Sequence, residues 1–176
     1  MVRRSPGARF MPGVWVFPGG SVSDEDRAEA AGEKDTEEAA HRRCVRRELA
    51  EEASVELDSE AALWPWSRWI TPEPVPVRFD TRFYLALARP HGSPEPDGSE
   101  VVEAAWVEPA AALARGRDGG FELAFPTIKH LEELAAFESS EDAVAAARGR
   151  RVEPILPRVV GTREDFRILL PGDPEY

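Results

Sequence analysis

Cysteine is almost missing from this chain: Cys44 is the only one among 176 residues. One thiol cannot close an internal disulfide or build a cysteine zinc site. Histidine is nearly as scarce, and His41, His91 and His130 show no metal-ligand spacing. Surface or packing roles are expected for all three. Basic side chains are short, 22 against 33 acidic ones, which leaves a formal net charge of -11. That deficit argues against nucleic acid as the main partner, because neutralising its phosphates needs clustered Lys and Arg. Long apolar runs are also absent. The longest, such as Phe83 to Ala88, has strand length and falls far short of the roughly 20 residues of a membrane helix, so no membrane partner is expected. Met1-Val2-Arg3-Arg4 is basic, but no apolar stretch follows it. A signal peptide is therefore not expected, and a reducing cytoplasm is the expected location.

What remains is ordinary globular material. The chain is 42% hydrophobic and 31% charged, which excludes whole-chain disorder. Its length fits one domain, residues 1–176, better than two. An acidic protein can still act on phosphates when a divalent cation stands between its carboxylates and the substrate.

Gly13 to Phe17 reads as a short strand broken by Pro18-Gly19-Gly20. Residues 21–36 are polar, small and mostly acidic, and an exposed insertion is expected at about 24–36. A helix should run from about Thr36 to Ala53. Thr36 is a plausible N-cap, and Glu37 and Glu38 lie where the helix dipole favours anions. Leu57 to Trp69 supports no firm assignment. Pro72, Pro74 and Pro76 make the next stretch extended. Phe83 to Leu87 reads as a strand buried on both faces, and Pro90 to Gly98 as a loop. A further strand is expected over Val101 to Val107. A helical C-terminal part then begins at about Thr127, with one helix to about Phe137 and a second starting after Ser139 or Ser140 and ending before Gly149. Strands mixed with a few helices predict an α/β (α+β) sandwich, a mixed β-sheet between helices.

The chemistry is concentrated in Arg47-Glu48-Leu49-Ala50-Glu51-Glu52. Residues three and four apart share a helix face, so Glu48, Glu51 and Glu52 are neighbours. Like charges crowded together destabilise a helix unless something offsets them. Arg47 can reach Glu51 one turn on, and a hard cation such as Mg2+, or Mn2+ in its place, can supply the rest. The plain alternative is a solvated charged face. The strand and Gly-Gly turn leading into the helix favour the metal reading, because they bring backbone amides near the carboxylates.

This combination resembles the Nudix hydrolase superfamily. Its signature ends in Arg-Glu-apolar-x-Glu-Glu-x-Gly-apolar, which Arg47 to Val55 match except for Ser54 at the Gly position; Phe17-Pro18-Gly19-Gly20 match the approach. The first Glu of the signature, eight positions before the Arg, falls on Ala39, and Glu38 beside it is the expected substitute. Gly20 and Arg47 are 27 positions apart because of the insertion. That insertion, Asp24-Glu25-Asp26, Trp69-Ile70-Thr71-Pro72, Arg78-Phe79-Asp80-Thr81-Arg82-Phe83 and Phe10-Met11-Pro12-Gly13 resemble the branch that includes the peroxisomal coenzyme A diphosphatases.

The resemblance implies a Nudix-type sandwich and metal-dependent hydrolysis of a nucleoside diphosphate linked to another moiety, of coenzyme A, NADH or ADP-ribose type. The implied metal ligands are Glu48, Glu51, Glu52 and the carbonyl of Gly20 or its neighbour. Arg47 is implied to orient the helix carboxylates, with Glu38 in support. Glu100 and Glu103 are candidates for the general base, with an exposed loop acid as the alternative for both. Arg78 is a candidate phosphate contact, and its alternative is an ion pair with Asp80 or a helix acid. Asp80 and Thr81 are alternatively loop-fixing residues. Cys44 is expected to be a small buried residue. Trp64, Trp66 and Trp69 either stack on a base or, for at least two of them, pack the sheet. Ile128, Leu131 and Leu134 form a core or dimer face. The alternative function is a non-catalytic Nudix-fold module that binds a nucleotide or a protein partner. Nudix folds usually open with a strand, and only Val2-Arg3-Arg4 precede Ser5 here. An upstream start, a missing strand or a covered edge would each account for this. An uncovered edge is an association hazard, so a homodimer is expected. Of the net charge, -8 sits in residues 24–60, where 14 acidic face 6 basic side chains.

Overall fold

Prolines punctuate the chain so often that, among the described residues, no strand exceeds seven residues and one helix alone exceeds ten. The structure is a computed structural model that describes residues 1–73, 75–88, 92–162 and 165–176. In order the elements are β1 (Val2–Arg4), β2 (Trp15–Val16), α1 (Asp24–Glu29), α2 (Thr36–Ala53), β3 (Trp64–Ile70), β4 (Asp80–Leu85), β5 (Val101–Ala104), α3 (Pro109–Arg117), α4 (Phe125–Leu134), α5 (Ser140–Ala147), β6 (Pro154–Ile155), β7 (Arg158–Gly161) and β8 (Phe166–Leu169). The fold is α+β. The chain divides into two units, Met1–Ala61 with Leu87–Ser140, and Ala62–Ala86 with Glu141–Tyr176.

In the first unit β1 is the central strand of an antiparallel sheet ordered β2-β1-β5. Val2 pairs with Val16 on one side and Ala104 on the other. Val2 and Val101 are fully buried and pack with Ala53, Leu49 and Val55, so the end of α2 lies on the sheet. A second cluster joins Trp15, Ala112, Phe121 and Leu131. The rings of Trp15 and Phe121 stack with centroids 4.2 Å apart. Burying each of these aromatics contributes roughly 2–3 kcal/mol. Of the three alternatives for the short N-terminal segment, the missing strand does not apply: Val2–Arg4 form β1, paired on both flanks, and β2 and β5 are the edges of this sheet.

The ends of α2 match the expected bounds, with one change at the N-terminus. Asp35, not Thr36, caps it, its carboxylate accepting the Glu38 N–H at 3.1 Å. At the other end Ser54 takes the left-handed conformation (φ 52°, ψ 33°), and the Ser54 and Val55 N–H groups return to the Ala50 and Leu49 carbonyls.

The insertion is not a loop throughout. Ser23 and Asp26 cap each other reciprocally and start α1. This short helix docks on α2 through small residues, Ala30 against Ala39, Ala40 and Val22. Ion pairs Arg43–Glu29 (3.1 Å), Arg43–Glu33 (3.0 Å) and Arg27–Glu37 (3.5 Å) lace the seam. Each is exposed and contributes little alone.

In the second unit β3 lies between antiparallel β4 and parallel β6, and β7 and β8 form a separate hairpin. Trp66 sits at a register shift in β3 and is 1% exposed. Trp69 is buried too, so packing holds for these two tryptophans, while Trp64 is half-buried. Arg150 and Arg148 lie over the Trp66 and Trp64 rings, at 4.0 and 5.4 Å.

Several expectations are corrected. Phe83 to Leu85 belong to β4, which is half-buried rather than enclosed, because β3 is its single neighbour in the sheet; Leu87 lies beyond its end and is exposed. Helix α3, opened by Pro109 at its first turn, was not expected. Helix α4 starts at Phe125, and Thr127, His130 and Leu131 are its buried residues, rather than Ile128 and Leu134. The tail after α5 carries three short strands besides the helices. Among the described residues the strands group as β2-β1-β5, β4-β3-β6 and β7-β8, and β4-β3-β6 carries both parallel and antiparallel pairs. Pro74, Pro90 and His91 lie outside the described residues.

Candidate active site

Helix geometry puts Glu48 and Glu52 one turn apart on the same side of α2. Glu48 is largely buried, its side chain 13% exposed, and Glu52 is 5% exposed. Glu51 projects to solvent at 59%. The turn after β2 closes over the two buried carboxylates. The Gly19 N–H donates to Glu52 Oε2 at 2.9 Å. Gly20 lies so close to Glu48 that a Cβ there would fall on the carboxylate.

Burial pushes the Glu52 carboxyl up to about 7, and the charges of Glu48 and Glu100 add to that; the Gly19 N–H and Arg4 oppose it. Glu48 and Glu100 thus place negative charge beside Glu52. The Gly19 N–H is one of the backbone amides expected from the Gly-Gly turn, whereas Arg4, at the end of β1, was not expected in the site. Arg4 also donates from Nε to the Phe10 carbonyl at 2.9 Å.

Arg47 organises the face. Its Nη1 donates to Glu48 Oε1 (2.8 Å) and Glu51 Oε2 (2.9 Å). On its other side Nε and Nη2 fork onto Asp26 at 3.3 and 2.9 Å, and Nη2 also reaches the Ser21 carbonyl at 3.2 Å. Asp26 is 5% exposed, and Arg47 holds its carboxyl near 2, below the usual range. Glu38, expected in support of Arg47, bonds Arg42 at 2.9 Å, and the insertion acid that Arg47 bonds is Asp26. Ala39, at the signature's Glu position, is buried in the seam with Ala30 and Ala40. The Ser23-x-x-Asp26 capping spacing was the sequence signal for Asp26.

The remaining expected residues separate. Glu100 is close enough to Glu52 to raise it, and its loop is built on Asp97. The Asp97 carboxylate accepts from the N–H groups of Ser99, Glu100 and Val101 and from the Ser99 hydroxyl. The Ser99 hydroxyl is the main cause that holds Asp97 near 2. Glu103 instead pairs across the ladder with Arg3 at 2.6 Å. Arg78 belongs to the second unit, where its Nε donates to the Thr71 carbonyl at 3.0 Å. Asp80 forks onto Arg68, and the loop between β3 and β4 is tied by Thr71 bonding Phe79. Cys44 is buried and donates to the Gly20 carbonyl (3.7 Å); burial pushes its thiol up to about 11, so it stays protonated. His41 pairs with Glu37, and His130 is buried with its ring edge-on to Phe17.

The donor set suits a hard divalent cation: carboxylates on one helix, a backbone carbonyl beside them, and a buried acid whose neighbours share its sign. Among the described residues no three acidic, histidine or cysteine side chains are already gathered for an ion. Glu48 and Glu51 converge on Arg47 instead and would exchange that cation for the metal.

Comparison with known proteins agrees with this geometry. The model of the NUDIX domain matches residues 1–125. The chain is 27% identical to putative nudix hydrolase 7 of Caenorhabditis elegans, over all of this chain and 68% of that protein. It is 33% identical to acyl-coenzyme A diphosphatase NUDT19 of Gallus gallus over 65% of the chain, and 34% identical to that of Homo sapiens over 55%. It spans 32% and 27% of the length of these two relatives. A NUDIX hydrolase crystal structure from Alicyclobacillus acidocaldarius superposes with a TM-score of 0.71 at 27% identity, covering 82% of this chain and 86% of that one. With the glutamate helix, the glycine turn over it and the family match across most of its length, the chain belongs to the NUDIX domain family.

Proposed function

We propose that the protein is a diphosphatase that hydrolyses the diphosphate linkage of a nucleoside diphosphate joined to another moiety, using a divalent cation, Mg2+ or Mn2+. The observation that carries this is the pair of largely buried Glu48 and buried Glu52, one turn apart, beneath a turn that leaves space for the Glu48 carboxylate at Gly20. A divalent cation, when bound, supplies water activation and charge neutralisation at phosphorus. Glu48, Glu51 and Glu52 would hold it, with the Gly20 carbonyl as a further oxygen. Glu100, whose charge reaches Glu52, takes the proton of the attacking water. Arg47 keeps the helix carboxylates in place.

Within the substrate class, the NUDT19 relatives favour a coenzyme A type over NADH or ADP-ribose. We take residues 1–176 as one functional domain and, from the single cysteine, a reducing cytoplasm as its location. No helix among the described residues is long and apolar enough to cross a membrane. Turnover of coenzyme A, an acyl-coenzyme A, NADH, ADP-ribose and diadenosine polyphosphates, each with and without Mg2+, tests the reading. Mg2+-dependent cleavage of a member is expected. If none is cleaved, or Glu52→Gln cleaves as fast as the unaltered protein, the enzyme reading fails and a binding module is left.

A further inference from the structure

The acidic insertion carries one residue that the reaction scheme does not use. Asp26 is among the most buried charged groups of the described chain, 5% exposed, yet it sits in a polar stretch whose other acids face solvent. It is fixed from its own side: Oδ2 accepts the Ser23 N–H at 2.8 Å, and the Asp26 N–H donates to Ser23 Oγ at 3.0 Å. Both oxygens then face Arg47, Oδ1 to Nε and Oδ2 to Nη2. A guanidinium held by its Nε and Nη2 edge has one free direction, and Nη1 points along it to Glu48 and Glu51.

We infer that Asp26 is a positioning residue: the insertion acts as a latch that sets Arg47, and through Arg47 the Glu48 and Glu51 carboxylates that would hold the cation. Without Asp26 no carboxylate holds the Nε and Nη2 edge of Arg47, so its whole guanidinium, and not Nη1 alone, can turn to Glu48 and Glu51 and compete with a cation for them. The idea rests on the metal reading given above. It is separable from mere docking of the insertion, because Arg43 docks α1 through Glu29 and Glu33 without touching Arg47.

Mn2+ binding to the full chain, followed by electron paramagnetic resonance, is the direct test. Asp26→Asn should raise the Mn2+ dissociation constant about tenfold, the size usual for a group that orients metal ligands. Arg43→Gln should leave that constant unchanged although it loosens the seam. In turnover, Asp26→Asn should lower kcat with KM held. Equal Mn2+ affinity in Asp26→Asn and the unaltered protein overturns the inference, as does an equal loss in Arg43→Gln. Should Asp26→Asn not fold, Asp26→Glu, which keeps the charge but displaces the carboxylate from the Arg47 fork, must show a smaller loss in the same direction, and an unchanged affinity again overturns it. If the unaltered protein takes up no Mn2+, the metal reading fails first and the inference with it.

Discussion

The carboxylate of Glu48 occupies the space where any residue other than glycine at position 20 would place its Cβ. The contact is with the flexible end of a side chain, so Gly20→Ala has an inexpensive escape: Glu48 moves. Turnover should therefore fall by about tenfold or more, as expected when a ligand is misplaced. The melting temperature should change little. A large loss of stability with full activity in the surviving folded protein would contradict this placement.

The three helix glutamates should not be equal. Glu52 is buried, Glu48 largely buried and Glu51 exposed. Substitution by Gln at Glu52 or Glu48 should lower kcat at least about 100-fold, and at Glu51 less. Removal of divalent cations by chelation should abolish turnover, and added Mg2+ should restore it. Steady-state rates for the three variants rank them directly.

Glu100 and Glu103 have similar sequence surroundings but different partners. Glu100 bears on Glu52, whereas Glu103 is spent on Arg3. Glu100→Gln should cost about 100-fold in kcat. Glu103→Gln should leave kcat within about twofold and weaken only an exposed ion pair. Equal effects would remove Glu100 from the base role.

Acid should weaken the fold through Asp26 and Asp97. Both are held near 2 from an ordinary value of 3.8. A carboxyl lowered on folding stabilises above its unfolded value and loses that contribution as pH falls through the folded one. The window is thus about pH 4 down to 2. For buried Asp26 the loss approaches 2 kcal/mol, roughly. Denaturant melts at pH 6 and pH 3 should show Asp26→Asn well below the unaltered protein at pH 6, with the gap narrowing at pH 3.

Ser54 ends α2 in a left-handed conformation that costs a side chain about 1 kcal/mol relative to glycine. Ser54→Gly should raise stability by about that amount and the melting temperature by a few degrees. A drop would mean that the serine hydroxyl outweighs the backbone cost.

The long helix and its carboxylate face were legible because they rest on local rules, capping, periodicity and like-charge spacing, all written within residues 35–54. The family signature added Gly20 and the turn. What sequence reasoning missed depends on contacts between distant segments. Asp26 had a local signal in its Ser23 cap, but its bond to Arg47 spans 21 positions. Arg4 matters to Glu52 only because β1 pairs with β5 and β2. Arg78 was a candidate phosphate contact by residue type, and its bond to the Thr71 carbonyl was not legible in the sequence. The apolar run at Phe83 to Leu87 suggested enclosure, and only the neighbour list of β4 shows it to be an end strand.

The position of β1 in its sheet also sets an order of events in folding. β1 is the middle strand, and its partners are residues 15–16 and 101–104. Pairing Val2 with Ala104 closes a loop of roughly a hundred residues, an entropic cost of about 4 kcal/mol before any contact repays it. The strands cannot complete their sheet until the chain beyond Ala104 has left the ribosome, and Val2, Val101 and Ala53 cannot be buried together before then. Early folding must instead rest on the local helices, with α1 and α2 meeting first, so the acidic face is assembled before the sheet that will support it.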